Sequence, residues 1–217
     1  MNFRIEALNL EQRILATLAF FDLFDLALNI DELNFYLLGR RPTLHELAVR
    51  LNEMENISIN ENLVVLKGRE KLFSARDEKD FLKIEFNKKV KNYLWIWKFI
   101  PFVKMVAVCN NLALGTLKKT SDIDFFIITS NNRIFTARIF STIIAHLLGI
   151  RRHGRKITKR FCLSFYVTEE LEDMNNFIMK AGDIYFAFWI LSLKVIHGTD
   201  EAFILNNKWV LKYFPDY

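Results

Sequence analysis

Cysteine is scarce in this chain. Two occur in 217 residues, Cys109 and Cys162, both inside apolar runs. That excludes a disulfide scaffold and reads as buried thiols in a reducing compartment. Seven glycines are dispersed along the sequence, and they form neither a Walker-type phosphate loop nor a dinucleotide-binding motif. Three prolines, with no Ser/Gly/Pro-rich stretch, leave no flexible linker. The histidines His45, His146, His153 and His197 are scattered and none has metal-ligand spacing to a cysteine, so zinc is not expected. No serine lies in a nucleophile-elbow context. The opening residues, with Arg4 and Glu6, contain no uninterrupted apolar stretch, so no secretion signal is expected. The most apolar window, Ile184 to Leu193, lies between Asp183 and Lys194 and falls short of the roughly 20 residues that span a bilayer. A core helix is expected there, a cytoplasmic location for the protein, and no membrane partner.

Apolar side chains are abundant: 52% of positions are hydrophobic and 14% aromatic, enough for one substantial core or two small ones. Thirty Lys/Arg against 25 Asp/Glu give a net charge of +5, which permits a nucleotide, nucleic acid or anionic surface as partner without requiring one.

Along the chain, Leu10, Ile14, Leu18 and Phe21 recur at helical spacing and the run closes around Asp22 and Asp25. Asn29 with Glu32, and Thr43 with Glu46 just after Pro42, are capping boxes that predict helices at about 30–38 and 44–54. Ile57 and Ile59 alternate with polar residues, Asn60, Glu61 and Asn62 supply a turn, and Leu63 to Leu66 returns as a strand. Three helices followed by a hairpin is the winged-helix order, which often reads DNA through its third helix. The charge opposes that use. Residues 1–68 hold six Lys/Arg and ten Asp/Glu, a net of −4, whereas residues 69–217 carry +9. The N-terminal module is therefore expected to pack or to dock a protein partner, with DNA-binding regulation as the weaker alternative. Residues 69–100, highly charged with interspersed Phe81, Ile84, Phe86, Val90 and Trp97, predict a connecting helical segment that stops at Pro101.

The remainder, 101–217, is expected to be a separate domain. Val103–Cys109, Ile123–Thr129 and Phe161–Val167 are apolar runs that predict strands buried on both faces. Between the last two lies an amphipathic helix, with Ile134, Phe135, Ile139, Ile143, Ile144, Leu147 and Leu148 as its core face, ending at Gly149. Helices at about 177–197 and 200–213 close the chain. The fold class is α+β, a small mixed sheet flanked by helices and preceded by the winged-helix-like module.

Asp122 and Asp124 open the second strand. Residues i and i+2 of a strand project to one face about 6.5–7 Å apart. Two such charges repel by roughly 2–3 kcal/mol at an effective dielectric near 20, and a divalent cation between them removes that cost. Oxygen ligands of this kind suit Mg²⁺ or Mn²⁺.

From Val106 to Thr129 the order is strand, polar tight turn, small residue, glycine, loop, and then Ser121-Asp122-Ile123-Asp124 on a strand. This resembles the core of the DNA polymerase β-like nucleotidyltransferase superfamily, over roughly residues 100–170. The resemblance implies metal-dependent transfer of a nucleotidyl group from an NTP to an acceptor (nucleic acid, protein or small molecule), with Asp122 and Asp124 holding the metal. By position, Asn110 and Asn111 stand where the family carries Gly-Ser, and Ala113 and Gly115 match its small residues. Asn110, Asn111, Gly115, Ser121, Lys118 and Lys119 are thus the expected nucleotide-binding residues. The family often places a third carboxylate on a later strand. Here that strand, from Phe161 to Tyr166, holds no acid: Ser164 fills a polar slot, and Glu169 and Glu170 follow its end. The alternative is a nucleotide-binding or scaffolding module without turnover.

Residues 151–160 hold six bases around His153 and Gly154 and no acid. Arg151, Arg152, Arg155 and Lys156 are candidate acceptor contacts. The competing reading is a solvated loop balanced by Glu169, Glu170, Glu172 and Asp173.

Overall fold

The computed structural model describes residues 7–171, 173–179 and 182–217. They form a mixed α/β architecture in two compact units: Met1–Glu78 with Ile178–Leu191 and Trp209–Tyr217, and Lys79–Phe177 with Ser192–Lys208. The stretch 101–217 is thus shared between them, and the boundary near residue 78 falls inside a helix.

In the first unit the order is α1 (Leu10–Asp22), β1 (Leu28–Asn29), α2 (Ile30–Phe35), α3 (Leu44–Glu53), β2 (Ile57–Asn60) and β3 (Leu63–Leu66). Side chains at the helix starts dictate where the helices begin. The Asn29–Glu32 and Thr43–Glu46 boxes both close, as does a third at Asn9–Gln12, each satisfying two of the backbone N–H groups that a helix start leaves unpaired. The hairpin turns through Glu61, which takes a positive φ of 54°, and β1 joins it in a three-stranded sheet of order β1-β3-β2. Ile14, Leu18 and Phe21 of α1 are buried with Leu33, Leu47, Leu51 and Val64.

A buried charged residue ties two helices of this unit together. Arg76, on helix α4 (Lys71–Asn92), is 6% exposed. It makes a two-pronged contact with Glu32 at 2.6 and 2.9 Å and donates to the Ala27 carbonyl at 2.6 Å. Glu32 is also the box residue of α2, so one carboxylate ties a helix start to a second helix.

The second unit contains β4 (Val103–Cys109), α5 (Asn110–Leu114), β5 (Ile123–Thr129), α6 (Ile134–Leu147) and β6 (Phe161–Thr168). After the first unit's α7 (Ile184–Ser192) come β7 (Lys194–Gly198) and α8 (Glu201–Asn206). The sheet order is β6-β5-β4-β7, antiparallel except for the parallel β5–β6 pair. Strand β5 is covered on both faces. Phe125 and Ile127 join Trp97, Phe86 and Phe161 in one buried cluster, while Phe126 meets Phe165 and Phe203 at ring distances of 4.9 and 5.5 Å.

Two expectations are corrected. The C-terminal segment is not a helix to residue 197: α7 ends at Ser192 and β7 pairs with β4. The β-branched Val195 and Ile196 fit the pleated edge that β4 would otherwise expose. Helix α6 also turns most of its expected core face outward, keeping only Ile134 and Ile144 of that set partly buried, the latter against the core. Its buried residues are Ala137, Ser141 and Ala145, small side chains that let it lie close on β6, with Ser141 Oγ 2.6 Å from Tyr166 Oη. Phe135, Ile139, Ile143 and Leu147 are exposed.

Gly198 shows how tightly β7 is fitted. Its φ is +77° and a Cβ there would lie 1.9 Å from the Lys104 carbonyl oxygen, whereas a Cβ on Gly68, φ +87°, would meet nothing within 4 Å. Gly198→Ala is expected to destabilise by about 2–4 kcal/mol and Gly68→Ala by about 1 kcal/mol, the backbone strain alone. Urea unfolding of the two variants checks this; equal losses would contradict the close approach.

Candidate functional site

Strand β4 ends at Cys109, and the chain reverses through Asn110, which takes the left-handed conformation at φ 55°, a shape asparagine tolerates better than most residues. The short helix α5 follows and stops at Gly115, φ 83°. The Asn111 carbonyl accepts from the Gly115 and Thr116 N–H groups, and its Oδ1 accepts from Thr116 Oγ1 at 2.9 Å. Ser121 exchanges two hydrogen bonds with Lys118, its Oγ accepting from the Lys118 N–H at 3.0 Å. That closes the loop before Asp122 and leaves Lys118 and Lys119 exposed at its tip. The segment 151–160 is strapped alongside: the Lys159 N–H donates to the Ser121 carbonyl and the Ile123 N–H to that of Arg160, both at 2.8 Å.

Asp122 and Asp124 project to one side of β5, as their spacing requires. Across the parallel pair Asp124 is in register with Cys162. Among the described residues, Asp122, Asp124 and Cys162 bring one ligand atom each within 4.8 Å of one another. The cluster is partly open to solvent: both aspartates are half-buried and Cys162 is buried. Arg152 completes it, with Nη1 2.6 Å from Asp122 Oδ2 and 3.7 Å from Cys162 Sγ, and Ser164 Oγ lies 3.2 Å from the same sulfur.

The electrostatics follow from this crowding. Burial, and then the neighbouring carboxylates, push the Cys109 thiol up. Burial also raises Cys162, with the Asp124 hydrogen bond acting in the same direction and Ser164 against it. Both are therefore neutral thiols at pH 7. The charge of Asp122 holds the Arg152 guanidinium above its ordinary value. Two carboxylates within reach of each other could hold a divalent cation of the Mg²⁺ or Mn²⁺ kind; the thiol would join as a ligand only on losing its proton, and its sulfur would then suit a softer ion.

The expected nucleotide residues thus fall along one edge, β4 end, α5, loop and β5 start, but the basic loop divides. Arg152 serves Asp122 directly, and Lys159 is paired with Glu85. Arg155 and Lys156 are exposed. Glu169 does not balance this loop, because it pairs with Lys104 at 3.1 Å beyond the far end of β6, and Glu172 lies outside the described residues. The residues missed in the sequence are Cys162 and the counter-ion role of Arg152. A thiol two residues from Ser164 carries no sequence signal until the parallel register sets it beside Asp124. Comparison of the chain with protein-family models, curated proteins and solved structures finds no match.

Two carboxylate oxygens no more than 4.8 Å apart repel by roughly 3 kcal/mol or more at an effective dielectric near 20, less with solvent access and the Arg152 charge. Asp124→Asn is therefore expected to stabilise the metal-free protein by about 0.5–1 kcal/mol in urea unfolding with chelator present. Loss of stability instead would mean that Asp124 is a structural carboxylate.

Proposed function

We propose that the chain transfers a nucleotidyl group from a nucleoside triphosphate to an acceptor, with Asp122 and Asp124 holding Mg²⁺ or Mn²⁺. One observation carries this reading: two like-charged carboxylates are kept together at the start of β5, beside the β4–α5 turn. The strand arrangement supports it too. The Ser121-Asp122-Ile123-Asp124 strand runs antiparallel to the strand before the turn and parallel to the one after the crossover helix, an order in keeping with the nucleotidyltransferase-like resemblance.

A bound divalent cation would supply charge neutralisation for the triphosphate and polarise the attacking oxygen. The chain's own groups have separable tasks. Asp122 and Asp124 provide the ligand oxygens. Lys118 and Lys119 extend positive charge from the loop tip toward the phosphates. Asn110 and Asn111 give the turn an amide donor where a glycine and a serine would give close backbone approach and a hydroxyl. Arg152 offsets the aspartate charge and would turn to a phosphate oxygen when the cation takes its place.

A second reading, nucleotide binding without transfer, is favoured by one feature. The β6 residue in register with Asp124 is Cys162, a neutral thiol that cannot serve as a third carboxylate. The two readings separate in one assay, α-labelled ATP and GTP with Mg²⁺ or Mn²⁺ and a broad set of acceptors, the protein itself included. Transfer is expected, with Asp122→Asn and Asp124→Asn each lowering it by about a hundredfold or more. Metal-dependent binding without label transfer would support the second reading; transfer that survives both substitutions would contradict the site.

A further inference from the structure

Helix α6 directs large apolar side chains into solvent. Phe135, Ile139, Ile143 and Leu147, at i, i+4, i+8 and i+12, are 77%, 57%, 51% and 80% exposed, and Phe140 flanks them at 46%. Residues four apart share a helix face, so the four form one stripe along a 14-residue helix about 21 Å long. Isolated exposed apolar residues are ordinary, but a contiguous stripe marks a surface that meets something. Rotation of the helix does not remove it, because Ala137, Ser141 and Ala145 are the side fitted to β6 and the Ser141–Tyr166 contact fixes that choice. The apolar surface continues past the helix start to Phe102, whose ring lies 4.9 Å below the Arg133 guanidinium.

Charge identifies the occupant. No acid occurs between Asp124 and Glu169, while eight Lys/Arg do. Arg133 and Arg138 are exposed on and before the helix, and Arg155 and Lys156 are exposed in the loop after it. The His146 and His153 rings, 5.5 Å apart, bring that loop against the last turn of the helix. A second copy seated on this stripe would oppose two strongly cationic surfaces, which like-charge repulsion disfavours. An anionic bilayer surface satisfies both features: its acyl boundary takes the stripe and its phosphates take the bases.

We propose that α6 and the loop 151–160 dock the second unit onto an anionic lipid surface, with the helix lying in the headgroup plane. This departs from the sequence expectation of no membrane partner, which rested on the lack of a spanning helix: among the described residues no helix is long and apolar enough to cross a membrane, and this mode of attachment needs none. It is independent of the nucleotidyl-transfer reading.

Flotation of the 217-residue chain with phosphatidylcholine vesicles, with and without about one-third phosphatidylglycerol, tests it. Binding is expected to the anionic vesicles and not to the neutral ones, and to weaken at high salt. Phe135→Glu with Leu147→Glu is expected to weaken it by about tenfold or more, and Arg155→Glu with Lys156→Glu by about fivefold per residue. Both apolar positions are mostly exposed, so the double variant is expected to keep the parent's circular dichroism and urea midpoint. Three results would overturn the proposal: no binding to anionic vesicles; binding that the Phe135/Leu147 variant leaves intact, as for a purely ionic partner such as nucleic acid; or a dimer in analytical ultracentrifugation that Ile139→Glu dissociates.

Discussion

Two negative charges held on the same side of one strand are the constraint around which the second unit is arranged. Asp122 and Asp124 cannot separate, because their spacing fixes their direction and Phe125, Phe126 and Ile127 anchor β5 in the core. The surrounding chain answers the repulsion in two ways. Arg152 is brought onto Asp122 by the strapping of 151–160 to the β5 start, and the neighbouring sulfur stays protonated. Such a pair is costly to the empty protein and useful to one that binds a cation, the usual direction of a stability–function trade-off.

The parallel pairing of β5 and β6 has further consequences. Parallel neighbours require a crossover, and the crossover is α6 followed by the basic loop. The small residues that let α6 lie close to β6 leave its large apolar residues outside, and the loop's return to the sheet sets Arg152 beside Asp122. Aspartate pair, exposed stripe and cationic loop therefore share one structural origin.

Much of this was legible in the sequence where the signal was local. Capping side chains placed α2 and α3, apolar runs placed β4, β5 and β6, and the i, i+2 rule put both aspartates on one face. What depended on pairing across the chain was not. Cys162 joins the aspartates through a register that no motif encodes. Counting large apolar residues presumes that they face inward, whereas in α6 three small ones are buried against the sheet and most of the large ones are outside. The apolar stretch before Gly198 reads as helix throughout, and only the vacant edge of β4 makes its last part a strand.

The most direct test of the central claim is a crystal soaked with Mn²⁺ and a non-hydrolysable nucleoside triphosphate. The account predicts an anomalous peak about 2.1 Å from carboxylate oxygens of both Asp122 and Asp124, with Arg152 released from Asp122 and phosphate oxygens completing the coordination. An anomalous map with no peak there, and Arg152 still on Asp122, would contradict it.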